Sequence, residues 1–276
     1  MTFGVGSEGP CRAWGGSTIM EEKSVKLGDI DVARIGLGTN RLTKTRDNVA
    51  FVRSAVAAGV QMIDTAHSYT GGQSEETIGE ALSLFPEACV VATKGGIGGA
   101  GHGRPEVLRA ELEQSLRQLR TNSISLYYLH RVDPETPIEE SLATIKEYLD
   151  HGRVRHVGIS EVEIDQIERA RRVVPIAAVQ NHYNLSERKY EGVVDYCASE
   201  GIVFVPFFPL RGGGGSALTE IAMRHRASAR QITLAWLLRR SPAMLPIPGT
   251  LSFDHLEQNL AALKIELTDA EFEALR

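Results

Sequence analysis

Apolar positions along the chain follow two alternating periods. Runs of strand length fall at Val60–Thr65, Cys89–Lys94, Ile124–His130, Val154–Ser160, Ile176–Gln180, Ile202–Phe207 and Met244–Ile247. Between them apolar residues recur at helical spacing. Leu108, Leu112, Leu116 and Leu119 step by 4, 4 and 3, and Ile138, Leu142, Ile145 and Leu149 step by 4, 3 and 4. Thr136-Pro137-Ile138-Glu139 predicts a helix start with a capping hydroxyl, a first-turn proline and a capping-box glutamate, and Thr268-Asp269-Ala270-Glu271 predicts another capping box. Gly59, Gly152 and Gly201 stand just past predicted helix ends, where a left-handed residue closes the last turn.

Upstream, Val25–Leu27, Gly28-Asp29 and Ile30–Arg34 predict a short hairpin leading into a strand that ends at Thr39. That gives eight strands, each followed by a helix, and near-continuous apolar strands fit a parallel sheet covered by helices. An open doubly wound sheet would carry Gly-x-Gly-x-x-Gly, but Arg41 stands where the third glycine belongs after Gly36 and Gly38. The predicted fold is therefore α/β, a closed (β/α)₈ barrel preceded by a hairpin. Residues 24–276 are expected to form one domain, and residues 1–23, rich in Gly and Ser without a period, a flexible extension.

Composition narrows the function. With 30 Lys and Arg against 35 Asp and Glu the net charge is −5, and no basic block is present, which argues against a general nucleic-acid binder. No apolar run approaches the ~20 residues that cross a bilayer, and no signal peptide is apparent, so a cytoplasmic protein away from membranes is expected. Cys11, Cys89 and Cys197 are scattered and suggest neither disulfides nor zinc.

In such a barrel, chemistry sits at the C-terminal ends of the strands. Those positions hold Thr39 and Asn40; Asp64 and Thr65, with His67 and Tyr69 beyond; Lys94; His130; Ser160 and Glu161; Gln180 and Asn181; Phe207; and Gly249 with Thr250. Singly, each reads as well as a turn, surface or core residue. Together, Asp64, Tyr69, Lys94 and His130 form an acid apparatus on three consecutive strands. A neighbouring ammonium makes a tyrosine a better acid, a carboxylate keeps that ammonium in place, and an imidazole can orient a carbonyl oxygen. The glycines of Gly212–Gly215, after Pro209-Leu210-Arg211, leave two readings open, a phosphate cradle or a plain surface loop. Phe207 can stack on a flat heterocycle, and Ser160 with Gln180 can bind an amide.

Several segments in order resemble the aldo-keto reductase superfamily: Gly36-Leu37-Gly38-Thr39, Asp64–Tyr69, Ser74–Leu82, Ala92-Thr93-Lys94, Tyr128-Leu129-His130, Val157–Ser160, Gln180-Asn181, Pro209-Leu210, Ile247–Thr250 and His255–Leu260. The resemblance implies a nicotinamide-dependent carbonyl oxidoreductase without metal, acting reversibly on aldehydes or ketones. Tyr69 would donate the proton, Lys94 would tune it, Asp64 would hold Lys94 and His130 would orient the substrate. The dinucleotide would meet Gly38, Thr39, Asp64, Ser160, Glu161, Gln180 and Phe207. It would continue along Pro209, Leu210 and Arg211 to Gly249, Thr250, His255, Gln258 and Asn259.

NADPH is the implied cofactor, with NADH open, because the segment Gly249–His255 carries no Lys or Arg where relatives commonly clamp the 2′-phosphate. Glu161 and Phe207 replace the more usual Asn and Tyr. Phe204–Leu210 and Ala235–Pro242 resemble bacterial members related to pyridoxal reductases (pyridoxine 4-dehydrogenases), and the short insert Gly95–Arg104 suggests an open pocket, hence a broad range of small-molecule carbonyl substrates. A monomer or weak homo-oligomer is expected. Two alternatives are a cofactor-binding, redox-sensing regulatory subunit with little turnover, and a metal-dependent hydrolase using His67, His130 and His182. The latter lacks the usual His-x-His, having Gly36-Leu37-Gly38 on the first strand instead.

Overall fold

A computed structural model describes residues 23–83 and 89–276. The extension expected at residues 1–23 lies outside them except for Lys23. Strands β1 (Ser24–Leu27) and β2 (Ile30–Ala33) form the expected antiparallel hairpin. Seven parallel strands then run in chain order: β3 (Leu37–Gly38), β4 (Met62–Asp64), β5 (Val90–Gly95), β6 (Ile124–Leu129), β7 (Val154–Ser160), β8 (Ile176–Gln180) and β9 (Val203–Phe204).

The eighth strand, expected at Met244–Ile247, is not a regular ladder, and its prolines explain why. Pro246 and Pro248 have no N–H to donate, so on one side this segment only accepts, from Gly36 N and Gly38 N at 3.0 and 3.3 Å. On its other side Leu245 N donates to Phe204 O, and Ala243 O accepts from Phe204 N. Parallel bridges Phe204–Met244 and Gly38–Gly249 complete the ring. The barrel is therefore closed by a segment that contributes mostly carbonyls. Gly38 makes the closure possible, since a Cβ there would lie 2.7 Å from Ile247 O, which is backbone and cannot swing away.

Period-two alternation sorts each strand into an inner and an outer face. Met62, Val90, Ala92, Leu126, Tyr128, Ala178, Val203 and Leu245 fill the barrel interior, and Leu27 and Val32 of the hairpin join this cluster and plug one end. Ile63, Tyr127, Leu129, Ile159 and Val179 face outward into the layer beneath the helices. These helices include α1 (Arg46–Ala57), α2 (Gln73–Leu82), α3 (Pro105–Gln118), α4 (Ile138–Asp150), α5 (Ile164–Arg171), α6 (Glu191–Glu200), α7 (Ser216–His225), α8 (Ala229–Arg240), α9 (Phe253–Ala261) and α10 (Asp269–Ala274). The leucine and isoleucine spacings noted on α3 and α4 point inward as expected: Leu108, Leu112 and Leu116, then Ile138, Leu142 and Ile145, are buried.

Two of the predicted caps form and one does not. Thr268 and Glu271 form the capping box of α10, and Gly201 closes α6 in the left-handed conformation. Thr136 does not cap α4. Pro137 occupies the cap position, and the Thr136 hydroxyl donates to Asp133 Oδ2, a carboxylate that also accepts from Gly101 N, Gly103 N and Glu135 N. Among the described residues no helix is long and apolar enough to cross a membrane. The closure makes a prediction. Gly38→Ala should lower stability by about 1–3 kcal/mol, the usual cost of overpacking, read as an earlier urea midpoint at unchanged slope.

Candidate active site

The inward parity that packs Met62, Ala92, Tyr128 and Ala178 also brings polar residues to the inner face one layer higher. Asp64, Lys94, Ser160 and Gln180 each follow an inward residue by two positions, and His130 follows Tyr128 in the same way. Lys94 is fully buried, and its Nζ donates to Asp64 Oδ1 at 2.6 Å and to Thr65 O at 2.6 Å. A third, longer bond of 3.4 Å runs to the Tyr69 hydroxyl. An ammonium can only donate, so the phenol oxygen is the acceptor and its own proton is left for the cavity.

Burial works against the charge on Lys94, but the Asp64 carboxylate and Tyr69 outweigh it and hold the lysine pKa above its ordinary value. Gln180 Nε2 donates to the other Asp64 oxygen at 2.8 Å, so both carboxylate oxygens are engaged. His130 is 5% exposed and stands edge-on to Tyr69, their ring centres 6.1 Å apart. Burial, followed by the charges of Lys94 and Arg131, pulls the His130 pKa from 6.5 down to about 2, so the imidazole beside the phenol is neutral.

Local structure explains how Tyr69 reaches this point. After β4 the chain makes a short 3₁₀ turn over Tyr69–Gly72, with Thr70 at φ 49° and Gly71 and Gly72 also left-handed, before α2 begins. The first turn of α2 anchors that loop to the barrel rim. Ser74 Oγ lies 2.9 Å from Thr39 Oγ1 and 2.7 Å from Thr65 Oγ1, tying the ends of β3 and β4 together beneath the cavity. Glu75 beside it is buried, which raises its pKa, and accepts a 2.5 Å bond from Thr93.

Two cavities share a rim and form one groove. The first, about 270 Å³, is lined by Gly38, Thr39, Asp64, Tyr69, His130, Ser160, Gln180, Phe207, Pro209 and Gly249, all anticipated from the sequence. Asn40, Ile97, Arg131, Phe208 and Ile247 join them. The second, about 450 Å³, shares Gly38, Thr39, Asn40, Phe208, Pro209 and Gly249 and extends past Leu210 and Arg211 to Thr250, Leu251, Ser252 and His255.

Other expected residues sit elsewhere. Glu161 is left-handed (φ 57°) and accepts from His182 N, which holds the next loop. Gln258 and Asn259 lie on α9 and do not line the groove. None of Gly212–Gly215 lines it either. Gly213 N instead donates to Ser186 Oγ, and a Cβ on Gly212 would run into the same serine, so the first half of the run packs against Ser186. The three histidines weighed as metal ligands have separate surroundings. His67 lies 3.8 Å from Glu111, His182 stacks on Phe207 at 5.2 Å, and among the described residues no group of three or more His, Cys, Asp or Glu is placed to hold a metal. Cys89 and Cys197 are buried, which pushes both thiols up to about 12 and leaves them inert near neutrality.

The hydrogen bonds already made decide what the groove can hold. Ser160 Oγ accepts from Arg131 at 3.1 Å, which leaves its own proton to donate. Gln180 spends an N–H on Asp64, and its carbonyl stays available to accept. One hydroxyl donor and one carbonyl acceptor in a cavity that Phe207 also lines complement a primary carboxamide on a flat ring, and the second cavity adds three guanidinium groups for phosphates. A nicotinamide dinucleotide fits this donor set.

A closed (β/α)₈ barrel with its reactive groups and a groove bearing the donor set for a nicotinamide dinucleotide at the strand C-termini defines an oxidoreductase of the nicotinamide-dependent class. The chain belongs to the aldo/keto reductase family, whose model matches residues 34–217 and 214–276. It is 38% identical over 271 residues to an uncharacterized oxidoreductase of Schizosaccharomyces pombe, covering 91% of this chain and 88% of that one. It is 34% identical over 274 residues to the pyridoxine 4-dehydrogenase of Escherichia coli, covering 91% and 96%. Among solved structures, the thermostable aldo-keto reductase Tm1743 with the inhibitor epalrestat superposes with a TM-score of 0.84 at 33% identity, covering 91% of this chain and 98% of that one. An aldo/keto reductase from Klebsiella pneumoniae with NADP and acetate gives 0.83 at 28% identity, covering 92% and 94%.

The neutral state of His130 has a consequence for stability. Between pH 6.5 and about 2 the unfolded chain takes up a proton that folded His130 refuses, so stability falls as the pH drops through that range. His130→Gln should remove this share of the acid sensitivity, seen as a smaller loss of unfolding free energy between pH 7 and pH 5 in parallel urea titrations.

Proposed function

We propose that this protein reduces the carbonyl group of a small aldehyde or ketone to an alcohol, reversibly, with Tyr69 as the proton donor and NADPH as the preferred cofactor. The carrying observation is the contact of the Tyr69 hydroxyl with the buried Lys94–Asp64 pair, which fixes the phenol oxygen as acceptor and frees its proton. Bound in the groove, the dinucleotide would supply the hydride to carbon. The residues of this chain do the rest. Tyr69 gives its proton to the carbonyl oxygen, and the Lys94 ammonium stabilises the negative charge left on the phenol oxygen. Asp64 and Thr65 keep Lys94 aimed, and neutral His130 holds the carbonyl oxygen beside Tyr69 without competing as a stronger acid.

Ser160 and Gln180 bind the carboxamide, and Phe207 backs the ring. The wall of Phe207, Phe208, Ile97 and His130 suits a flat substrate. Pyridoxal is the first aldehyde to try, since one relative bears the name pyridoxine 4-dehydrogenase.

Tyr69→Phe removes only the acid. Its reductase turnover with pyridoxal or a simple aromatic aldehyde should fall about 10²- to 10⁴-fold, the usual span of general acid catalysis, while NADPH binds as before. Undiminished turnover would refute the assignment, and tight NADPH binding by the wild type without turnover of any carbonyl would favour the redox-sensing alternative.

A further inference from the structure

The segment Gly249–His255 carries no Lys or Arg, yet the cavity it borders is lined by three arginines in an acidic molecule. Arg41, Arg211, Arg230 and His255 all line it, and no Asp or Glu does. These guanidiniums also differ from most others in how they are satisfied. Arg104, Arg109, Arg153, Arg155, Arg169 and Arg171 each pair with a carboxylate. Among the described residues Arg41 and Arg230 have neither a hydrogen bond nor an ion pair, and Arg211 rests only on the face of Phe208, 3.7 Å from its ring centre. Three such charges converging on one cavity without a carboxylate make a site for a polyanion.

Order along the groove separates their tasks. Arg41 follows Asn40, and Arg211 lies two residues beyond Pro209. Asn40 and Pro209 border both cavities, so the chain that carries these two arginines passes the junction of the two. Arg230 comes from elsewhere in the chain. It is the second residue of α8, a helix packed against α9, and it lines the second cavity with Leu251, Ser252 and His255, none of which lines the first, where Tyr69 stands.

We propose that Arg230 is the residue that selects the 2′-phosphorylated dinucleotide, binding the 2′-phosphate at the far end of the groove, while Arg41 and Arg211 flank the pyrophosphate. This rests on reading the groove as a nicotinamide-dinucleotide site with the carboxamide at Ser160 and Gln180. The basic group expected on the segment before α9 is thus supplied by α8, from a position exposed enough to move between ligand and water.

The test is binding, independent of turnover. Wild type, Arg230→Met and Arg41→Met are titrated calorimetrically with NADPH and with NADH at one ionic strength. Thermal unfolding of each free protein checks the fold, which a substitution at exposed Arg230 should leave unchanged. The wild type should prefer NADPH. Arg230→Met should weaken NADPH about 10- to 100-fold, as expected for one charge-assisted contact, and leave NADH within about twofold on the same scale. Arg41→Met should weaken both alike.

Equal losses of both cofactors in Arg230→Met, or an unchanged NADPH affinity, would overturn the assignment of Arg230. A wild type that binds NADH as tightly as NADPH would also overturn it, with the dinucleotide site intact. Wild-type binding of neither cofactor would bring down the underlying reading of the groove as well.

Discussion

A lysine with no exposure to water can stay charged only if its partners are fixed, and much of the upper barrel serves that requirement. Lys94 donates one bond to the Asp64 carboxylate, one to the Thr65 carbonyl and one to the Tyr69 hydroxyl. Gln180 satisfies the remaining oxygen of Asp64. A buried pair of this kind is poor evidence for stability, because desolvation offsets much of its Coulomb energy. What it contributes is placement. The pair sets which atom of Tyr69 accepts, and so where its proton can go.

That placement depends in turn on barrel closure. Tyr128 fills the interior beneath Lys94, whose Nζ lies 5.8 Å from its ring centre, and Gly158 is glycine because a Cβ would sit 2.4 Å from that ring. Asp64 is in register with Gly38 on one side and Ala92 on the other. Gly38 then meets the proline-bearing closing segment, whose carbonyls accept where a regular strand would also donate. Sites of chemistry and points of backbone economy therefore coincide at the rim, as expected where the chain must approach itself closely.

The sequence made most of this legible because the barrel uses strict alternation. Asp64, Lys94, Ser160 and Gln180 share one parity with the interior residues below them, so strand ends could be read directly as site positions. Less legible were features set by contacts between distant segments. Met244–Ile247 has a strand's hydrophobicity, but the prolines flanking Ile247 reduce its pairing to bridges. Thr136 has a capping residue's chemistry, yet Asp133 three residues earlier offers its hydroxyl a stronger acceptor. The glycine run after Arg211 has the composition of a phosphate loop and turns to Ser186. Arg230 gave no signal, since it stands ahead of a continuous buried run, Ile232–Leu237, and only the packing of α8 on α9 brings it to the groove.

The central claim is that the buried Lys94–Asp64 pair acts through Tyr69 on the chemical step and not on cofactor affinity. Single-turnover reduction by a Lys94→Met protein whose circular dichroism matches the wild type, measured beside its NADPH dissociation constant, tests this most directly. The account predicts a rate lowered about 10²- to 10⁴-fold, within the range of lost general acid catalysis, with a dissociation constant changed less than about tenfold. A rate within a few-fold of the wild type, or a loss found wholly in cofactor binding, would contradict it.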